Sequence, residues 1–225
     1  MRTDELHRFR DRREAGRVLA GYLNAYAHRQ DVVVLALPRG GVPVGFEIAS
    51  ALHAPLDVFV IRKLGVPWHQ ELAMGAIASG GVRVINDEVV HMLRVPAAAI
   101  DQVVDEEQRE LERRERLYRD DHPFPDVSDK VVILVDDGLA TGSSMRAAVR
   151  ALRQHHPARV VIATPVGAPD TCASLRGDVD DVVCAMTPEN FQAVGLWYEQ
   201  FDQTTDQEVR DLLAQRTQLL AERGA

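Results

Sequence analysis

Residues 131–144 read VVILVDDGLATGSS, and their order decides the fold. Val131–Val135 are five consecutive aliphatic residues, too few for a stable helix and rich in β-branched side chains, which marks a strand buried on both faces. Two carboxylates, Asp136 and Asp137, end that strand, and a loop of small residues follows from Gly138 to Ser144. Met145, Ala148, Val149 and Leu152 then fall at i, i+3, i+4 and i+7, the apolar stripe of a helix. Glycines let backbone N–H groups approach a ligand closely, and a helix N-terminus adds positive potential, so the loop suits a phosphate. The acids beside it suit sugar hydroxyls, a metal, or positive charge developing in a reaction.

On the N-terminal side, periodic apolar residues predict a helix over about 13–28, followed by a buried strand, Val32–Leu37. That strand runs into Pro38, Arg39, Gly40 and Gly41, with Pro43 suited to the first turn of the next helix. A third strand is expected over Leu56–Ile61, ending in the adjacent cations Arg62 and Lys63. The span 64–88 reads as a loop with hairpin arms at 73–78 and 82–85. Pro96 then introduces a charged helix over 97–119, with Glu110–Arg114 and Glu115–Arg119 among its i,i+4 pairs. Its stripe of Ile100, Val104, Leu111 and Tyr118 is narrow, fitting either a solvated support on the domain or a contact with another subunit. Strands are expected again at 159–164 and 179–186, and a closing helix from Asp206. Alternating strands and helices predict an α/β chain, a doubly wound and mainly parallel sheet whose ligand loops lie at the carboxyl ends of the strands.

The 131–144 stretch resembles the 5-phosphoribosyl-1-pyrophosphate (PRPP) motif of type I phosphoribosyltransferases: a hydrophobic run, two acids, then a short T-G loop. The L-A-T-G run is especially similar to the adenine-type version. The resemblance implies one phosphoribosyltransferase domain over 1–225 and transfer of a phosphoribosyl group from Mg²⁺-PRPP to a nitrogenous base. It places the 5-phosphate on Leu139, Ala140, Thr141, Gly142, Ser143 and Ser144, and the ribose hydroxyls on Asp136 and Asp137. It places pyrophosphate against Arg39, Gly40, Gly41, Arg62 and Lys63, with Mg²⁺ held through PRPP and water rather than by protein ligands. It makes 64–88 a mobile catalytic loop, in which Glu71 resembles a loop glutamate of adenine-type enzymes; Glu71 and His69 are equally readable as exposed residues with no task. It makes 187–205 a hood that recognises the base, with Phe191, Trp197 and Tyr198 as stacking candidates or, alternatively, packing residues. Ala140 stands where hypoxanthine/guanine-type enzymes carry an Asp, which disfavours that acceptor class. The family expectation is a homodimer.

Composition limits the alternatives. The chain has 225 residues, 46% hydrophobic and 27% charged, with a formal net charge of −8 that disfavours nucleic acid and anionic membranes as partners. Apolar runs long enough to span a bilayer, or to form a signal peptide, are missing from the sequence, so a cytoplasmic location is expected. Cys172 and Cys184 lack C-x-x-C spacing and are expected as reduced, buried thiols. A receiver domain also ends a strand in paired acids, but it needs a late lysine and the only lysines are Lys63 and Lys130. Two further readings of the same fold are a PRPP- or nucleotide-sensing regulator and a PRPP or nucleotide hydrolase.

Overall fold

The computed structural model describes residues 8–120 and 122–224, without the side chains of Gln70, Glu71 and Arg223. In chain order the strands are β1 (Val32–Ala36), β2 (Leu56–Val58), β3 (Ile61–Val66), β4 (His69–Ala78), β5 (Val82–Ile85), β6 (Val131–Val135), β7 (Arg159–Val166) and β8 (Asp181–Met186). The helices are α1 (Arg12–Tyr22), α2 (Gly41–Leu52), α3 (Asp87–Leu93), α4 (Ala97–Arg119), α5 (Ser143–Arg153), α6 (Pro169–Leu175) and α7 (Asp206–Gly224). Five strands pair in parallel in the order β2-β1-β6-β7-β8.

Strands β1 and β6 are apolar at every position because successive side chains feed two different cores. Val32, Val34 and Ala36 of β1 and Val131, Ile133 and Val135 of β6 join one cluster with α2, α4 and α7. Val33, Leu35, Val132 and Leu134 point the other way, into the cluster built with α5 and α6. The strand order reverses direction between β1 and β6: β1 leads to β2 on one side and the chain later returns to β6 on the other. In a doubly wound sheet such a switch point opens a crevice at the carboxyl ends of the two strands.

A second sheet, β3-β4-β5, is antiparallel and packs between α4 and α5. It contains the hairpin expected at 73–85 but begins earlier. The strand expected over 56–61 stops at Val58, and Arg62 and Lys63 lie inside β3 rather than beyond a strand end. Alternation therefore sends these two cations to opposite faces of β3. The first helix is also shorter than its apolar period implied, ending at Tyr22 before a 3₁₀ turn over Asn24–Tyr26. Cys172 on α6 and Cys184 on β8 are joined in a disulfide with Cα atoms 6.9 Å apart, which corrects the expectation of two thiols. Spacing along the chain does not reveal the pairing, because the fold brings α6 back beside β8. No helix among the described residues is long and apolar enough to cross a membrane.

The charged helix α4 has the expected boundaries and rests on β3 and β4 and on α7, with Ile100, Leu111 and Tyr118 buried. Its last residue, Arg119, is buried and reaches Asp57 at 2.9 Å, Glu115 at 2.6 Å and the carbonyl of Val58. Burial raises the Asp57 carboxyl above its usual range, and Arg119 opposes that shift. Removing the guanidinium leaves Asp57 desolvated without its partner. Arg119→Ala is therefore expected to lower the unfolding free energy by about 3–5 kcal/mol, measured by urea denaturation. Asp57→Asn in the same background is expected to recover part of that loss.

Candidate active site

The loops that follow β1 and β6 meet at the switch point. The N–H of Leu37 donates to the carbonyl of Val135 at 2.8 Å, carrying the pairing of the strands into the loops. The Pro38–Arg39 peptide is cis. A Cβ on Gly41 would lie 2.7 Å from the Val135 carbonyl oxygen, and one on Gly40 would enter the Asp137 carboxylate. Only glycine permits this approach, so the P-R-G-G segment and the acidic pair form one site.

The two acids have different surroundings. Asp137 Oδ2 accepts from Arg12 Nε at 2.8 Å. Arg12 is held in turn by the Asp202 carbonyl at 2.7 Å and by the Phe201 ring, 4.0 Å from its guanidinium carbon. The Tyr198 hydroxyl donates to the Asp137 carbonyl at 2.6 Å. Asp136 accepts the Asp137 N–H at 2.9 Å and lines a cavity of about 160 Å³ with Leu37, Pro38, Val60, Ile61, Arg114 and Ser144. Desolvation, and then the charge of Asp137, push the Asp136 carboxyl well above the ordinary carboxylate range.

The expected phosphate loop divides into an anchor and a mouth. Leu139 is buried; its N–H donates to Val166 at 2.9 Å and its carbonyl accepts from Ala168 at 2.8 Å. With its amide committed to β7, Leu139 anchors the loop instead of contacting an anion, a correction to the sequence reading. Ala140 is also tethered, its carbonyl accepting the Thr171 hydroxyl at 2.6 Å. Thr141, Ser143 and Ser144 are exposed, and Gly142 takes a left-handed φ of 69° as the chain enters α5. Gly142 itself makes no side-chain cap; the Ser143 N–H donates to the Thr141 hydroxyl at 3.4 Å, and the positive end of α5 faces this hydroxyl-lined loop.

The cations expected at pyrophosphate separate. Lys63 donates to Ser143 Oγ at 2.7 Å and so joins the loop that opens α5. Arg62, on the opposite face of β3, pairs with Glu107 of α4 at 2.6 Å. Arg39 lies 3.9 Å from Asp206 at the start of α7, and the Tyr118 hydroxyl donates to the same carboxylate at 2.5 Å.

Among the aromatics, Trp197 and Tyr198 are buried with Phe9, Ala15 and Val166, while Phe191 packs at the margin of that cluster. Buried rings have no face to offer a base, so Trp197 and Tyr198 act as packing. The side chain of Glu71 lies outside the described residues; His69 opens β4 and is exposed, beside Trp68 at the hairpin tip. Sequence reading missed Arg12, Glu107, Arg114 and Asp206. A signal existed for two of them, because Glu107 and Arg114 fill the gaps in the stripe Ile100, Val104, Leu111, Tyr118.

Two measurements follow from this geometry. The native state keeps the Asp136 proton to higher pH than the unfolded chain, whose aspartates titrate near about 3.9. Native protein therefore binds more protons in that window, and this group's contribution to stability falls as pH rises from about 4 through the raised pKa. Asp136→Asn is expected to be more stable than the parent near pH ~8, with the gap closing toward pH ~4; urea midpoints across that range measure it. Gly40→Ala is expected to displace the Asp137 carboxylate from Arg12 and to lower stability by about 1–3 kcal/mol, read as a shift in the thermal midpoint.

Known proteins agree with this architecture. Residues 2–199 match the family described as the phosphoribosyl transferase domain. Proteins from two strains of Mycobacterium tuberculosis, MT0597 and Rv0571c, both named as candidate phosphoribosyl transferases, are 48% identical over 217 residues. The match covers 96% of this chain and 49% of theirs, so the chain spans about half the length of these relatives. The crystal structure of TT1426 from Thermus thermophilus is 38% identical with a TM-score of 0.82, covering 92% of this chain and 98% of that one. On the family match, the sequence identity and the shared fold, the chain belongs to the phosphoribosyltransferase family.

Proposed function

We propose that this chain transfers the 5-phosphoribosyl group of PRPP to a nitrogen of a small base and releases pyrophosphate. The observation that carries the reading is the meeting of the acidic pair and the P-R-G-G loop at one switch point, with no room for a Cβ at Gly40 or Gly41, beside the small-residue loop that opens α5. Three subsites follow from it. Thr141, Gly142, Ser143 and Ser144, with Lys63 beside them, receive the 5-phosphate. Asp136 and the free oxygen of Asp137 accept hydrogen bonds from the ribose hydroxyls. Arg39, Gly40 and Gly41 face the pyrophosphate, while the basic guanidinium of Arg62 stands on the α4 side.

In the reaction the base's nitrogen lone pair forms a bond to C1 of the ribose. The C1–O bond breaks, its electron pair leaves with pyrophosphate, and the nitrogen's proton passes to solvent. Positive charge grows on the ribosyl ring as that bond lengthens. The paired acids, one of them desolvated, stabilise it more strongly than water would. The Asp136 carboxylate and Ser144 hydroxyl are hard oxygen donors on one cavity wall, which fits Mg²⁺ carried by a polyphosphate. When bound, that ion would neutralise charge on the pyrophosphate oxygens. The acceptor would approach from the 187–205 segment, where Leu196 and Phe201 remain partly exposed.

Pyrophosphate release from Mg²⁺-PRPP, measured over a panel of purine and pyrimidine bases, tests the reading. Release that requires a particular base is expected, with a drop of about 10²–10³-fold in rate for Asp136→Asn/Asp137→Asn. Release without any base would replace transfer by hydrolysis, and absence of PRPP binding would overturn the site.

A further inference from the structure

We propose that Arg114 of α4 is a binding residue for the pyrophosphate end of PRPP, so that the charged helix forms one wall of the active site; this rests on the site reading above. The residues Ile100, Val104, Glu107, Leu111, Arg114 and Tyr118 are spaced four, three, four, three and four apart, which puts them on one face of α4. That face rests on β3 and β4. Apolar contact alone would place aliphatic residues at all six positions.

Each polar exception meets a different part of the site. Glu107 holds Arg62 at 2.6 Å. Tyr118 hydrogen-bonds Asp206, the carboxylate nearest Arg39, at 2.5 Å. Arg114, between them, lines the cavity walled by Leu37 and Pro38 of the first loop, Val60 and Ile61 at the β3 entrance, and Asp136 and Ser144 of the second. It is the cation in that lining, and the volume of about 160 Å³ holds several waters and hence a small anion.

Glu110, one turn back, keeps the guanidinium in place: Arg114 Nε donates to Glu110 Oε1 at 2.7 Å. Glu110 is shared with Arg113, so one carboxylate faces two cations. The remaining N–H groups of Arg114 form a fork matched to two oxygens of a phosphate. As the C1–O bond breaks, the departing pyrophosphate gains a negative charge, and a guanidinium fixed in this cavity stabilises it.

The test compares Mg²⁺-PRPP with ribose 5-phosphate, which shares the sugar and the 5-phosphate but lacks pyrophosphate, by titration calorimetry. Arg114→Gln is expected to weaken PRPP binding about ten- to a hundredfold while leaving ribose 5-phosphate unchanged. Glu110→Gln removes the carboxylate that positions the guanidinium but keeps the guanidinium itself, and is expected to weaken PRPP binding only a few-fold, clearly less than Arg114→Gln. A purely structural role for the pair predicts equal losses in both variants, and that result would overturn the proposal. Unchanged PRPP binding in Arg114→Gln, or equal weakening of both ligands, would also overturn it. If the unsubstituted protein fails to bind PRPP, the site reading itself falls; if it binds PRPP and only the Arg114 result fails, that reading stands.

Discussion

The close approach of two backbone segments at the carboxyl ends of β1 and β6 is the constraint on which the rest of the structure depends. A parallel pair of buried strands fixes where the two loops begin, and glycine at positions 40 and 41 lets them touch. Everything chemical is then placed by short tethers. The acids emerge directly from β6, and the small-residue loop runs to α5 in a few residues. Rigid, buried strands are suited to hold such a constellation within a fraction of an ångström, while the loops vary around them.

Charge at the site is arranged by elements from remote parts of the sequence. Arg12 crosses to Asp137 from α1, 125 residues away, and is itself held by the 201–202 segment. The N–H of Phe9 donates to the Trp197 carbonyl and the N–H of Glu199 to the Phe9 carbonyl, so the first described residues and the 194–201 segment form one cover over the second acid. Asp136 is desolvated beside the charge of Asp137, which outweighs the opposing pull of Arg12 and raises its affinity for its proton. Two adjacent acids thus sit in different surroundings. One is hydrogen-bonded by a guanidinium. The other gains stabilisation only when positive charge arrives, which is the behaviour a developing ribosyl cation would exploit.

The middle of the central sheet was legible because β1 and β6 are uninterrupted aliphatic runs, a pattern that a buried parallel sheet requires and few other elements produce. The acidic pair and the small-residue loop after it were legible because the whole unit is contiguous in sequence. Local pattern failed where the answer depended on a distant partner. Nothing in the sequence near Leu139 shows that its amide is consumed by Val166, and nothing near Trp197 shows that its ring is enclosed by Phe9 and Ala15. Arg62 and Lys63 were readable as a cationic pair, but their separation follows from β3 beginning before them, and that boundary is set by pairing with β4. The short helix α3, capped by Asn86, is too brief for its apolar period to stand out beside the hairpin.

The charged helix α4 shows how far such a failure reaches. Its sequence alone fits either a solvated support on the domain or a contact with another subunit, since many of its side chains are charged and form i,i+4 pairs. Its position follows from Arg119, which is buried against Asp57 and the Val58 carbonyl where β2 hands over to β3. That anchor fixes the last turn of α4, and helical periodicity then fixes the direction of every earlier residue on the same face. Tyr118, Arg114 and Glu107 are therefore aimed at the site by a contact outside it. A polar residue within a helix's buried stripe is a mismatch with the local pattern, and such mismatches persist where a function holds them. In α4 the mismatched positions coincide with the cations and the cavity of the site, which distinguishes a wall of the active site from a helix that merely covers it.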